Sequence, residues 1–213
     1  MKKYFDKFRE YLGLPKNELE DKIIERKDIS DLVERLRYEG KTIVTTNGTF
    51  DFLHVGHIMS LYAAKYIYGN NNVLVVGLNS DSSVRKYKDD KYPKRPVNSQ
   101  EDRAIIVAAL SFVDYVTIFD EVNPVKLLKI IKPDYHVKSE EGFIGIERKV
   151  VEENGGRIVL VSGISSVSTT DMIRKISKAY IKSTRKKSKE DSSAFKRLID
   201  YLQDLLFPDI FSH

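Results

Sequence analysis

At 213 residues the chain has room for one α/β core with appendages, and two full domains would be a squeeze. Hydrophobic residues make up 41% and charged residues 31%, with a formal charge of +5, so the composition is that of a soluble protein with an anionic partner: nucleotide, sugar phosphate, nucleic acid or anionic lipid. No run approaches the roughly 18 apolar residues of a membrane span, and the lack of cysteine excludes disulfides, thiolate zinc sites and cysteine nucleophiles and points to the cytoplasm.

The opening MKKYFDKFREYLGL mixes charge with apolar residues and reads as an amphipathic helix, because a secretory signal needs an uninterrupted apolar segment. Pro15 suits the first turn of a second helix running to about Lys27. DISDLVERLRYE is a third, capped by Asp28 or Ser30 and stopped by Gly40. KTIVTTN is a buried strand, HIMSLYAAKYIYG a helix ending on glycine, and NVLVVGLN a central parallel strand. The polar stretch SDSSVRKYKDDKYPKRPVN interrupts the pattern. SQEDRAIIVAALSF resumes it as a helix with Ser99 as N-cap, followed by DYVTIFD (strand), NPVKLLKIIK (helix) and PDYHVK (strand). GIERKVVEENGG is a helix with a glycine stop, RIVLVS a strand and STTDMIRKISKAYI a helix. KSTRKKSKED is a basic flexible linker, and SAFKRLIDYLQDLLF an amphipathic helix that packs on the body or on a second subunit.

Alternating strands and helices predict a doubly wound, Rossmann-like parallel sheet of about five strands. The expected division is a helical N-terminal extension over 1–40, a catalytic domain over 41–180, and the basic linker with its helix over 181–213. In open α/β sheets ligands bind beyond the carboxyl ends of the strands. NGTFDFLHVGHI lies there, after the first strand, as do Asn79 and Asp81, Lys138, and Ser165 to Thr170.

His54 and His57 are two of the chain's four histidines, and they bracket Gly56 where a strand turns into a helix. A helix N-terminus offers free N–H groups and partial positive charge, and imidazoles there can donate to phosphate oxygens. Spacing alone leaves three readings open: phosphate handling, a metal site, or chance. A zinc site wants three or four ligands, and Asp51 is the one nearby carboxylate. SSVSTTD alone reads as ordinary N-capping; beside HVGH on a neighbouring strand end it reads as a second phosphate site, and a cap residue can do both jobs. The cations from Arg85 to Arg95 are a solvated loop or a mobile lid over a polyphosphate. Arg103 is an exposed helix arginine paired with Glu101 or Asp102, or a reach toward ligand phosphates. Asn79 and Asp81 are acceptor contacts or a simple Asx turn. His136, inside a strand, reads as packed.

TNGTFDFLHVGH after an apolar strand resembles the signature of the HxGH nucleotidyltransferase superfamily. LNSDSSVRKYK, RPVNSQEDRAIIVAAL, VDYVTIFDE and STTDMIRKI follow in the order found in the adenylyltransferase domain of ADP-heptose synthases. The resemblance covers roughly 28–176. It implies transfer of AMP from ATP, carried with Mg²⁺, to heptose 1-phosphate or another sugar phosphate, with release of pyrophosphate. It implies that His54, His57 and Lys88 are catalytic. Thr49, Phe50, Gly56, Ser168, Thr169 and Thr170 would bind nucleotide, and Asp51, Asn79, Asp81, Arg103 and Lys138 the acceptor side. No protein metal ligand is implied. Two departures stand near the expected site: VKSEEG replaces the family's glycine-rich turn, and an extra SSV precedes STT. The length leaves no room for the sugar-kinase domain such synthases often carry, so an acceptor phosphorylated elsewhere is expected, and a homodimer with it. The competing readings are a cytidylyltransferase acting on a polyol phosphate such as glycerol 3-phosphate, and a non-catalytic nucleotide- or nucleic-acid-binding protein. The basic tail lacks interleaved aromatics for base stacking, which argues against nucleic acid.

Overall fold

Two aliphatic runs form the centre of the sheet. β1 (Thr42–Gly48) and β2 (Asn72–Asn79) pair in parallel from Thr42↔Asn72 to Gly48↔Leu78. β3 (Tyr115–Phe119) adds to β2, while β4 (Tyr135–Ser139) adds to the other side of β1 and carries β5 (Arg157–Val161) outside it. The strand order is β3-β2-β1-β4-β5 and every pairing is parallel, which is the doubly wound arrangement expected. The chain winds outward from β1 to β3, then crosses back to β4, so the topological switch point lies between β1 and β4. This computed structural model describes residues 10–11, 18–88, 95–140, 143, 145–162, 168–180, 193 and 196–197.

The period of two along each strand divides the core between the two faces. On one face Ile43, Val73 and Val75 pack with Ile29, Leu32, Val33 and Leu36 of the helix Ile29–Tyr38 and with Leu127 and Ile131 of the helix Val125–Ile131. On the other face Val44, Leu74, Val76 and Leu78 pack with Leu61 and Ala64 of Val55–Tyr66 and with Ala104, Val107 and Ala108 of Gln100–Ala108. In chain order the helices are α1 (Glu18–Asp21), α2 (Ile29–Tyr38), α3 (Val55–Tyr66), α4 (Asp81–Lys88), α5 (Gln100–Ala108), α6 (Val125–Ile131) and α7 (Arg148–Glu153). Ser99 caps α5 as expected, its hydroxyl accepting from the Asp102 amide. The N-terminal helix α2 is thus a layer of the sheet's own core.

The structure differs from the expected elements in two places. The helix drawn to about Lys27 stops at Asp21, and the chain then runs beside the outer strand. Ile24 donates to the Val116 carbonyl and Val116 to that of Lys22, both at 2.8 Å, and Ile23 bridges to Val116. β3 is an edge with unpaired backbone groups, and pairing them outweighs a further helical turn. The stretch Asp81–Lys88, which the sequence presents as irregular, is the helix α4. It buries Ser83 and Val84, and Ser80 Oγ accepts from the Ser83 amide at its start.

The chain divides into two compact units, Met1–Thr169 and Thr170–His213. The sheet and α1–α7 belong to the first; in the second, residues 170–180 are helical. The basic linker and nearly all of the C-terminal amphipathic segment lie outside the described residues. Among the described residues, no helix is long and apolar enough to cross a membrane.

His136, expected as a packed strand residue, is fully buried in β4 with its Nδ1 2.8 Å from the Thr45 hydroxyl. Burial, aided by the Lys138 charge, pushes its pKa down from 6.5 to about 3. The imidazole is therefore neutral in the folded chain and takes up a proton on unfolding below pH 6.5. That difference removes stability as pH falls from about 6.5 toward 3, at roughly 1.4 kcal/mol per pH unit. The melting temperature of the native chain should drop faster between pH 6.5 and 4.5 than that of His136→Gln, in which the titrating group is gone. Parallel curves would show that His136 does not carry this dependence.

Candidate active site

The site forms where β1 ends. Gly48 leaves the strand beneath the Phe50 ring; a Cβ at that position would stand 3.1 Å from the ring. Phe50 itself takes a left-handed backbone (φ 49°), turning the chain back over the strand end. After this turn His54, with extended backbone, occupies the N-cap of α3, and its side chain makes no capping bond. The first intrahelical bond runs from the Ile58 amide to the His54 carbonyl, so the amides of Val55, Gly56 and His57 precede the helical ladder. This is the anion-attracting end of a three-turn helix.

The two imidazoles stack there, ring centroids 3.8 Å apart and planes 28° from parallel. Phe50 meets His57 edge-on at 5.2 Å and supports the pair from below. His54 Nδ1 is buried without a hydrogen-bond partner, and burial lowers the pKa of this ring. A neutral imidazole beside the first amides of a helix is a hydrogen-bonding device suited to an incoming anion, whose charge would draw a proton onto it.

Other expected residues take more varied positions. The Thr49 hydroxyl lies 2.5 Å from the Tyr87 hydroxyl of α4. Asp51 is 1% exposed and its carboxylate is fully used: Oδ2 accepts from Arg95 Nε at 2.7 Å, and Oδ1 from the amides of Val97 (2.9 Å) and Asn98 (3.0 Å). The Asn98 side chain donates in return to the Asp51 carbonyl. Arg103, read as an exposed helix arginine or a ligand contact, has no exposure. Its guanidinium donates to the carbonyls of Thr49 and Asn98 and to Asp81 Oδ1, the last at 2.7 Å. One buried cation therefore ties the β1 loop, the start of α4 and the 95–98 turn together. Asn79 donates to the Ser83 hydroxyl at 3.0 Å, and the Asp81 amide to Gln100 Oε1 at 2.9 Å. Lys138, at the end of β4, donates to Asn47 Oδ1 at 3.0 Å and pairs with Glu147 at 3.5 Å. Burial lowers its pKa, and Glu147 opposes the shift. Thr169 donates to the Phe52 carbonyl at 3.5 Å, which brings this threonine beside the histidine loop. Gly56 is in the first turn of α3, Ser168 adjoins Thr169, and Thr170 opens the second unit. The Lys88 side chain and residues 89–94, Glu141 and 165–167 lie outside the described residues.

Four participants were not singled out in the sequence: Tyr87, Arg95 as the Asp51 partner, Asn47 and Glu147. Tyr87 sat in a stretch read as loop. The Asp51–Arg95 and Lys138–Asn47 pairs join residues 44 and 91 positions apart, which periodicity cannot link. No group of three or more His, Cys, Asp or Glu side chains that could hold a metal occurs among the described residues.

Comparison with known proteins gives the same family as the motifs. The family model described as cytidylyltransferase-like matches residues 45–193. The chain is similar to the bifunctional protein HldE of Campylobacter fetus subsp. fetus, at 50% identity over 71% of this chain and 32% of that protein. It is also similar to the bifunctional protein HldE of Geobacter metallireducens, at 44% identity over 79% of this chain and 34% of that one. The chain thus spans about a third of the length of these relatives. Among solved structures, the lipopolysaccharide core biosynthesis protein from Thermoplasma volcanium GSS1 is similar at 27% identity over 60% of this chain and 98% of that one, with a TM-score of 0.48. The sequence motifs, the all-parallel sheet and the match over residues 45–193 agree: the chain belongs to the cytidylyltransferase-like family.

Proposed function

We propose that this chain is a nucleotidyltransferase that moves AMP from ATP to a sugar phosphate, heptose 1-phosphate first among them, and releases pyrophosphate. The observation that carries the reading is the stacked His54–His57 pair at the N-terminus of α3, beyond the carboxyl end of β1. The resemblance to the ADP-heptose synthases supports ATP and a heptose as the pair.

In this reading a phosphate oxygen of the acceptor attacks the α-phosphorus in line. The new oxygen–phosphorus bond forms as the bond to pyrophosphate breaks. A phosphate monoester is already ionised at neutral pH, so the protein needs no strong base. Its work is positioning and charge stabilisation. His54, His57 and the first amides of α3 hold the α- and β-phosphates. Thr49 lies along them, and Ser168 and Thr169 take the far phosphates. Mg²⁺ bound with the nucleotide would be held mainly by phosphate oxygens and would supply charge neutralisation there. The Asp51 carboxylate fits poorly as a further metal ligand, because Arg95 and two amides already occupy it. Arg103 and Asp51 act by fixing the loops, and Asn79 and Asp81 lie at the end of β2, on the acceptor wing.

The test is pyrophosphate release with Mg²⁺, using ATP and then CTP against a panel of sugar and polyol phosphates that includes heptose 1-phosphate. ATP with heptose 1-phosphate is the expected productive pair. Release with another pair would keep the mechanism and change the substrate. Nucleotide binding without release from any pair would overturn the enzyme reading.

A further inference from the structure

Glu147 lies at the crevice between β1 and β4, the topological switch point of this sheet, where ligands of open α/β folds bind. It is 5% exposed. One carboxylate oxygen, Oε1, faces the Lys138 ammonium at 3.5 Å, and that ammonium donates to Asn47, one residue before the Gly48 turn. The other oxygen, Oε2, is buried and accepts no hydrogen bond. Asp51 is the contrast, a buried carboxylate with both oxygens engaged. An unmet acceptor out of water costs folding free energy, so its persistence calls for a donor that the folded chain alone does not supply.

The position selects that donor. β4 and β5 flank β1 on the side opposite β2, and Thr169, which follows β5, reaches the Phe52 carbonyl beside the histidines. The phosphate-holding groups therefore run along the β1–β4–β5 wing, while Asn79 and Asp81 end the β2 wing. The ribose is bonded directly to the α-phosphate of a nucleotide, so it must sit within one group of the α3 N-terminus. We propose that Glu147 Oε2 accepts a hydrogen bond from a ribose hydroxyl of the bound nucleoside triphosphate, with Lys138 holding the carboxylate in place. A carboxylate is the natural reader of a ribose hydroxyl, since it accepts only. The inference rests on the nucleotidyltransferase reading for the presence of nucleotide in this crevice.

The test is calorimetric titration of the full chain with ATP, 2′-deoxy-ATP, 3′-deoxy-ATP and inosine triphosphate, each with Mg²⁺. The native chain should bind one deoxynucleotide roughly 10- to 100-fold more weakly than ATP, as loss of a charge-assisted hydrogen bond predicts. Glu147→Ala should bind ATP more weakly and bring that deoxynucleotide to within about threefold of it, because the group that tells them apart is gone. Glu147→Gln, which keeps the volume, should narrow the gap in the same direction. Equal binding of ATP and both deoxynucleotides by the native chain would overturn the proposal without any variant. So would ribose discrimination that survives Glu147→Ala, or a Glu147→Ala variant that loses the preference for ATP over inosine triphosphate while keeping the deoxynucleotide gap. Absence of binding by every nucleotide would instead bring down the underlying nucleotidyltransferase reading and this assignment together.

Discussion

Alanine at His54 or at His57 is expected to lower turnover by about 100-fold or more while leaving the chain folded. Loss of one well-placed oxyanion donor typically costs about 3 kcal/mol of transition-state stabilisation. The His54 ring gives little to stability in return. It makes no capping bond, and its buried Nδ1 has no partner. The two rings are in stacking contact, and in the proposed mechanism they act on one anion as a unit. The double variant should then be little worse than the worse single one, as happens for residues that share one role. Initial rates of pyrophosphate release, with thermal melts alongside, decide the matter. Near-normal turnover in both single variants would sink the assignment.

The sheet was legible because each strand is a short apolar run bounded by polar turns, and in the central strands β1 and β2 burial on both faces leaves few other homes for such runs. α4 was not legible, because it meets the core through Ser83 and Val84 while Ser82, Arg85, Lys86 and Tyr87 are exposed. A helix whose stability comes from one small buried stripe looks like a loop in the sequence. Residues 22–24 were misread for a different reason: their pairing with β3 is a tertiary event, supplied by an edge that local propensity does not record.

Within the candidate site, the position of the histidine loop was legible and its supports were less so. The histidine loop is local, and its position at a strand end follows from chain order. Arg103 shows the limit. It stands beside Glu101 and Asp102, and a local rule pairs it with them. The folded chain instead directs it to Thr49 and Asp81, 54 and 22 residues away. Asp51 behaves alike: its acidity suggests a ligand or metal contact, and its actual partners come from a turn more than forty residues later.

That placement gives Asp51→Asn the second large effect, and one that separates two roles. The carboxylate has no exposed side-chain surface and Arg95 has 9%, so their ion pair at 2.7 Å is buried. The asparagine amide would keep one acceptor and set an N–H₂ against either Arg95 or the amides of Val97 and Asn98. Breaking a buried pair by altering one partner typically costs about 3–5 kcal/mol, because the other charge is left without compensation. The expected result is a lowered midpoint in denaturant with the slope unchanged, together with reduced turnover as the 95–98 turn loses its anchor. If Asp51 met substrate directly, stability would hold and the loss would fall on KM for the acceptor. Arg95→Met supplies the control. Once the arginine is gone, Asp51→Asn should cost less than it does in the native chain, and the difference measures the pair. Equal costs in the two backgrounds would mean that the amides of Val97 and Asn98, not the guanidinium, are what Asp51 holds.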